Sequence, residues 1–138
     1  MVTSDHPPGF HSIFTPGPRI LIVEDNEAAG QGLARLLVAQ GFEVRCVTDG
    51  AAAIEALNSG VFHDFLLTDL RLPDLDGREL ARRMRELSPR SVVGMMTGWD
   101  IDPAIDQFEN WGVDWVITKP IDFKHLLKKL AGSKPAGS

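Results

Sequence analysis

The chain has 138 residues, enough for about one domain with its own core, and 43% hydrophobic with 24% charged residues excludes wholesale disorder. A formal net charge of −5 speaks against a nucleic-acid module, which would carry a basic face. No apolar run approaches the roughly 20 residues of a bilayer span, and residues 1–18 lack the basic-then-apolar pattern of a signal peptide, so no membrane association and a cytoplasmic location are the expectation.

In chain order, residues 1–18 hold Pro7, Pro8, Pro16 and Pro18 with Gly9 and Gly17 and read as a flexible lead-in, with Phe10, Ile13 and Phe14 as residues able to dock. Arg19–Glu24 (RILIVE) is an apolar, β-branched-rich run, the pattern of a strand buried on both faces. Glu27–Gln40 follows as a helix with Leu33, Leu36 and Leu37 at helical spacing; Gly41 supplies its stop, and Gly30 and Gly32 weaken its first half. Glu43–Val47 is a short strand; it contains the single cysteine, Cys46, which has no internal disulfide partner and is expected to be a buried, inert thiol. Gly50–Leu57 is an alanine-rich helix, and Phe65–Asp69 a third strand that ends on an acid. Arg78–Leu87 places Leu80, Ala81, Met84 and Leu87 on one helical face, and Pro89 ends it. Ser91–Met96 is a fourth strand. Asp102 then caps a helix opened by Pro103 and running to Trp111, with Phe108 expected in the core. Trp115–Thr118 is the fifth strand, and Ile121–Leu130 a last helix whose Lys128 and Lys129 suit a helix C-terminus. The remainder is linker-like, giving a lead-in (1–18), one domain (19–131) and a tail (132–138).

Five strands alternating with five helices imply a parallel sheet covered on both faces, a flavodoxin-like α/β three-layer sandwich. Ligands of such sheets bind beyond the carboxyl ends of the strands. Those ends carry Glu24 and Asp25, Asp69, Thr97 and Lys119. Three carboxylates in one place either raise a pKa or hold a cation, and oxygen ligands select a hard divalent ion such as Mg²⁺, which completes its shell with water or a phosphoryl oxygen. A lysine and a hydroxyl at the same edge suit a phosphoryl group. Singly, each residue has a plainer reading: Glu24-Asp25 as the start of a helix, Thr97-Gly98 as a turn. Five at successive strand ends, in that order, do not reduce to those readings.

The order VED, LLTDLRLPDLDG, MMTG and VITKP resembles the receiver domain of two-component response regulators, over nearly all of Arg19–Leu130. The resemblance implies that Asp69 is the phosphoacceptor, that Glu24, Asp25, Asp69 and the backbone carbonyl of Arg71 serve Mg²⁺, that Thr97 is the switch hydroxyl, and that Lys119 pairs with the phosphoryl group. Pro73 and Gly77 match the turn after the acceptor, and Pro120 the proline after the lysine. It further implies a phospho-acceptor switch with at most weak self-phosphatase activity. The donor would be a histidine kinase or histidine phosphotransfer protein, the output partner is unnamed, and a homodimer is one form open to it. The stretches MTGWD and GVDWVITKP resemble receivers attached to hybrid sensor kinases. His6, His11, His63 and His125 are assigned no role.

Two departures from the family pattern stand out. Glu24 occupies a place where many receivers have Asp; it is longer by one methylene and is expected to reach the metal through water. Val116 occupies the place of a Tyr or Phe that couples to the switch hydroxyl, while Trp115, one residue away, points to the other face of its strand. Arg71 and Trp99, two beyond Asp69 and Thr97, are expected to overhang the site and slow loss of the phosphoryl group. Three other readings remain: a haloacid-dehalogenase-like phosphohydrolase, disfavoured because Arg71 stands where it needs a second acid, a pseudo-receiver that only binds partners, and a flavodoxin-like cofactor binder, disfavoured by the acidic edge.

Overall fold

The computed structural model describes residues 17–98 and 108–133. Its centre is a parallel five-stranded sheet in the order β2-β1-β3-β4-β5, formed by β1 (Arg19–Val23), β2 (Glu43–Val47), β3 (Phe65–Asp69), β4 (Val92–Thr97) and β5 (Trp115–Thr118). Four helices are described, α1 (Glu27–Ala39), α2 (Gly50–Leu57), α3 (Gly77–Leu87) and α4 (Phe123–Gly132). The expected helix from Pro103 lies largely outside the described residues; its end, Phe108–Trp111, is a 3₁₀ turn. The expectations for the lead-in up to Pro16 and for Trp99 also lie outside them.

β1 and β3 are buried along nearly their whole length because helices cover both faces of the sheet. Alternation along the strands divides the core in two. Leu21, Val23, Leu66, Val93 and Met95 face one side, with α2 and α3; Ile20, Ile22, Leu67, Met96 and Ile117 face the other, with α1 and α4. Trp115 belongs to the second cluster, while Val116 packs half-buried against the first, so the two point to opposite faces as the strand period requires.

Helix ends follow local chemistry. Asn26, Asp49, Asp76 and Asp122 cap the four helices, each side chain accepting a first-turn backbone N–H. Gly41, at φ +99, turns the chain after α1 in the left-handed region that a residue with a Cβ avoids. The glycine expected to weaken α1, Gly30, has a packing reason. It is buried, and a Cβ there would come within 2.7 Å of Cys46 Sγ. Two expectations need correcting. Leu87 is 55% exposed, because α3 has turned it past the edge of the apolar stripe that buries Leu80, Ala81 and Met84. Cys46 is half-buried rather than buried, since β2 is an edge strand; burial still pushes its thiol pKa up, which keeps it protonated at neutral pH. Phe108 and Trp111 are partly buried against the first cluster, and the Arg78 guanidinium lies 4.6 Å from the Trp111 ring centroid.

The close fit of β4 to β5 is testable. Gly94 lies under the Trp115 indole, where a Cβ would approach ring atoms to 2.3 Å, and the indole Nε1–H donates to Ser133 Oγ (2.8 Å). Because the ring is held at both ends, Gly94→Ala is expected to destabilise the fold by about 1–3 kcal/mol in urea unfolding, the usual range for overpacking.

Candidate functional site

The strand order reverses between β1 and β3: from β1 the chain passes to β2 on one side, then to β3 on the other. Such a reversal opens a crevice at the carboxyl ends of the two strands. Val23 pairs with Thr68, so Glu24, one residue past β1, comes level with Asp69, the last residue of β3. Thr97 ends β4 opposite Thr118 of β5, and the next residue, Lys119, donates its backbone N–H to the Thr97 carbonyl (2.7 Å). The Lys119–Pro120 peptide is cis. The sheet thus brings together the residues singled out at four strand ends.

Their side chains make a tight electrostatic cluster. Lys119 Nζ lies 2.6 Å from Glu24 Oε1 and 2.6 Å from Asp69 Oδ1. Glu24 and Asp69 are only 4% and 3% exposed, so both carboxyls are largely withdrawn from water. Asp25 is exposed; its backbone N–H donates to Asp69 Oδ2 (3.3 Å). The Asn26 N–H donates to Glu24 Oε2 (3.1 Å). Thr97 is buried at the end of β4. Arg71 lies two residues beyond Asp69; its side chain is 63% exposed and pairs with Asp76 (3.4 Å).

Burial first, and then the neighbouring Glu24 carboxyl, push the Asp69 pKa up to about 7 against the pull of Lys119. Glu24 moves the other way: burial opposes its charge, but hydrogen bonds from Asp69, Lys119 and the Asn26 N–H outweigh it and lower its pKa. Lys119 is raised, because its two carboxylate partners outweigh its own burial. Just below neutrality the two carboxyls therefore share one proton beside Lys119, with burial favouring Asp69 as its holder.

The donor set fits a hard divalent cation. Oxygen atoms of Glu24, Asp25 and Asp69 lie within 4.8 Å of one another. Asp69 Oδ1 is fully buried and, although in ion-pair range of Lys119, accepts no well-directed hydrogen bond. One ammonium does not offset two buried carboxylates, and a divalent cation would complete the balance. Sequence reasoning did not identify Asn26, whose N–H holds Glu24, or Asp74, which contacts the start of α2. Asn26 follows the acidic pair directly and carries a cap residue's signature; the partner of Asp74 lies 24 positions earlier, beyond any local signal.

A family model for the response regulator receiver domain matches residues 20–131. The regulatory protein AtoC of Escherichia coli (strain K12) is 33% identical over 109 residues, which is 78% of this chain and 23% of AtoC. The sensory transduction protein RegX3 of Mycobacterium tuberculosis (strain H37Rv) is 35% identical over 113 residues, 80% of this chain and 48% of RegX3. The chain therefore spans about a quarter of one relative and half of the other. A crystal structure of a response regulator receiver domain protein (CheY-like) from Methanospirillum hungatei JF-1 superposes with a TM-score of 0.78 at 30% identity, covering 84% of this chain and 92% of that one.

The raised pKa sets a pH dependence with a definite sign. Between about pH 4 and 7 folded Asp69 keeps a proton that the unfolded chain has lost, so its contribution to stability declines as pH rises through that window. A divalent cation competes with that proton. The rise in melting temperature on adding Mg²⁺ is thus expected to be small at pH 5 and larger at pH 8, and to shrink at both in Asp69→Asn. Equal shifts at both pH values would mean that the cation does not bind at this carboxylate.

Proposed function

The chain belongs to the response regulator receiver family, and from that premise we propose that Asp69 accepts a phosphoryl group from a phosphohistidine donor and thereby switches partner binding. Receiver domains are phospho-accepting switches of two-component systems rather than metabolic enzymes, and they bind Mg²⁺ at an acidic pocket. The observation that carries the reading is the buried Asp69 carboxyl, flanked by Lys119 at 2.6 Å and by Glu24 and Asp25.

In this mechanism a carboxylate oxygen of Asp69 attacks phosphorus while the bond from phosphorus to the donor's imidazole nitrogen breaks, leaving a mixed anhydride on Asp69; the donor ring, protonated on its other nitrogen, takes the bonding pair and departs as neutral imidazole. Asp69 is competent only as the anion, so its proton must leave, through pH or through displacement by a cation. Glu24, Asp25, Asp69 and the backbone carbonyl of Arg71 would hold Mg²⁺, which supplies charge neutralisation for the phosphoryl oxygens. Lys119 exchanges one of its two carboxylate partners for a phosphoryl oxygen, and the Thr97 hydroxyl donates to another. With Glu24 already bound to Lys119 and the Asn26 N–H, the longer side chain keeps an oxygen at the site's wall.

A groove of about 430 Å³ beside the site offers a surface on which a protein donor could dock. It runs between α1 and the segment after β5, with Leu33 and Leu36 on one wall, Ile121 and Phe123 on the other, and Glu24 and Lys119 in its lining. Leu36 is half exposed there, an apolar side chain suited to a helix of a kinase or phosphotransfer protein. No described helix is long and apolar enough to cross a membrane. Transcriptional regulation, carried in the names of some relatives, is said of longer proteins of which this chain spans half or less.

Incubation with acetyl phosphate and Mg²⁺ is expected to add the mass of one phosphoryl group to the parent protein and nothing to Asp69→Asn. Lys119→Ala should slow the reaction by on the order of a hundred-fold, as loss of one charge-stabilising donor does. Rapid, repeated turnover of acetyl phosphate would instead mark a hydrolase with an aspartyl-phosphate intermediate. In the phosphorylated protein Arg71→Ala is expected to hasten phosphate loss; an unchanged half-life would remove Arg71 from any part in shielding the anhydride.

A further inference from the structure

The segment after Asp69 is a small closed hairpin. The Leu70 N–H donates to Met96 O (2.9 Å), the Gly77 N–H to Leu70 O (2.7 Å) and the Leu72 N–H to Leu75 O (3.2 Å), and Arg71 pairs antiparallel with Asp76. Pro73 and Asp74 are therefore its two tip residues, and its base lies at Asp69 and Gly77. The base has no slack: a Cβ on Gly77 would come within 2.1 Å of the Asp69 carbonyl oxygen.

The tip is moored to a different element. One Asp74 carboxylate oxygen accepts the Gly50 N–H (2.8 Å), and the other accepts the Ala51 N–H (2.9 Å). Leu75 lies over Gly50 so closely that a Cβ there would meet its side chain at 2.3 Å. α2 has its own cap in Asp49, which accepts the Ala52 N–H (2.8 Å). The first turn of α2 thus gives three N–H groups to two carboxylates, one local and one from the hairpin tip. The tip residue Asp74 and the next residue, Leu75, both bind the same helical turn.

We propose that Asp74 is a positioning residue for the acceptor site: by mooring the hairpin tip to α2 it fixes the arm that carries the Arg71 backbone carbonyl, and so the geometry in which a divalent cation is held beside Asp69. This rests on the reading of Asp69 as acceptor and of the Arg71 carbonyl as a cation ligand. With the base closed by Gly77 and the tip held by Asp74, the arm has two fixed ends; without the second it pivots about the Arg71–Asp76 pair. A ligand carbonyl is sensitive to such pivoting because cation sites tolerate only small errors in geometry.

The test compares Asp74→Ala and Asp74→Asn with Asp49→Ala, which removes the helix's own cap and leaves the hairpin contact in place. Mn²⁺ binding is followed by electron paramagnetic resonance, phosphorylation by acetyl phosphate, and stability by thermal melting. Asp74→Ala and Asp49→Ala should both lower the melting temperature. Only Asp74→Ala should weaken Mn²⁺, by roughly ten-fold (equivalent to about 1.4 kcal/mol), and slow phosphorylation. Asp74→Asn keeps one acceptor and should fall between it and the parent. Unchanged Mn²⁺ affinity in folded Asp74→Ala and Asp74→Asn overturns the proposal, and so does an equal loss in Asp49→Ala. A parent protein that neither binds Mn²⁺ nor takes the phosphoryl group overturns the acceptor reading and this one together, whereas a competent parent with indifferent Asp74 variants overturns this one alone.

Discussion

Two carboxyl groups share a buried crevice with one ammonium, and much of the molecule is arranged around that imbalance. Glu24 and Asp69 have lost most of their hydration, and Lys119 touches both. A buried anion pair with a single cation between them is unstable unless a proton or a second cation joins it. The raised pKa of Asp69 is one solution; under the proposed function a divalent ion would be the other, and exchange of one positive species for another would underlie the switch.

Holding that arrangement requires a scaffold that leaves the carboxyls nowhere to go. The parallel sheet supplies it by ending β1 and β3 side by side where the strand order reverses, with hydrophobic layers closing both faces behind them. Close backbone approaches finish the fit. Gly30 lets α1 settle against Cys46 and Glu24, and Gly77 lets α3 start against the Asp69 carbonyl. The same rigidity sets the two faces of β5 around Val116. Val116 packs into the α2–α3 side of the core, and the neighbouring indole of Trp115 is committed to the opposite side, fastened to Ser133. The end of β5 therefore presents no aromatic ring on the face where Val116 sits.

Much of this was legible from residue order. Apolar runs of strand length, helical spacing and glycine or proline stops located β2, α2, β3 and β5 at their observed ends, and the other described strands and α-helices to within about two residues. The rule that ligands gather at strand carboxyl ends then selected Glu24, Asp25, Asp69, Thr97 and Lys119. What stayed hidden depends on three-dimensional company. The exposure of Leu87 follows from how far α3 rotates against the sheet, and the partial burial of Cys46 from β2 lying at an edge. Asp74 reads locally as an ordinary turn acid. Its partners at Gly50 and Ala51 become visible only when the hairpin folds against α2.

The contact between Glu24 and Lys119 joins positions 95 residues apart, from just past the first strand to just past the last. No partly made chain can contain it. A ribosome that has released β1 through β4 has displayed Glu24, Asp25, Asp69 and Thr97, but not the ammonium that lets two of those acids coexist, and closing so long a loop is among the slower events in folding. Under the proposed function the acceptor site is therefore complete only once the final strand has joined the sheet.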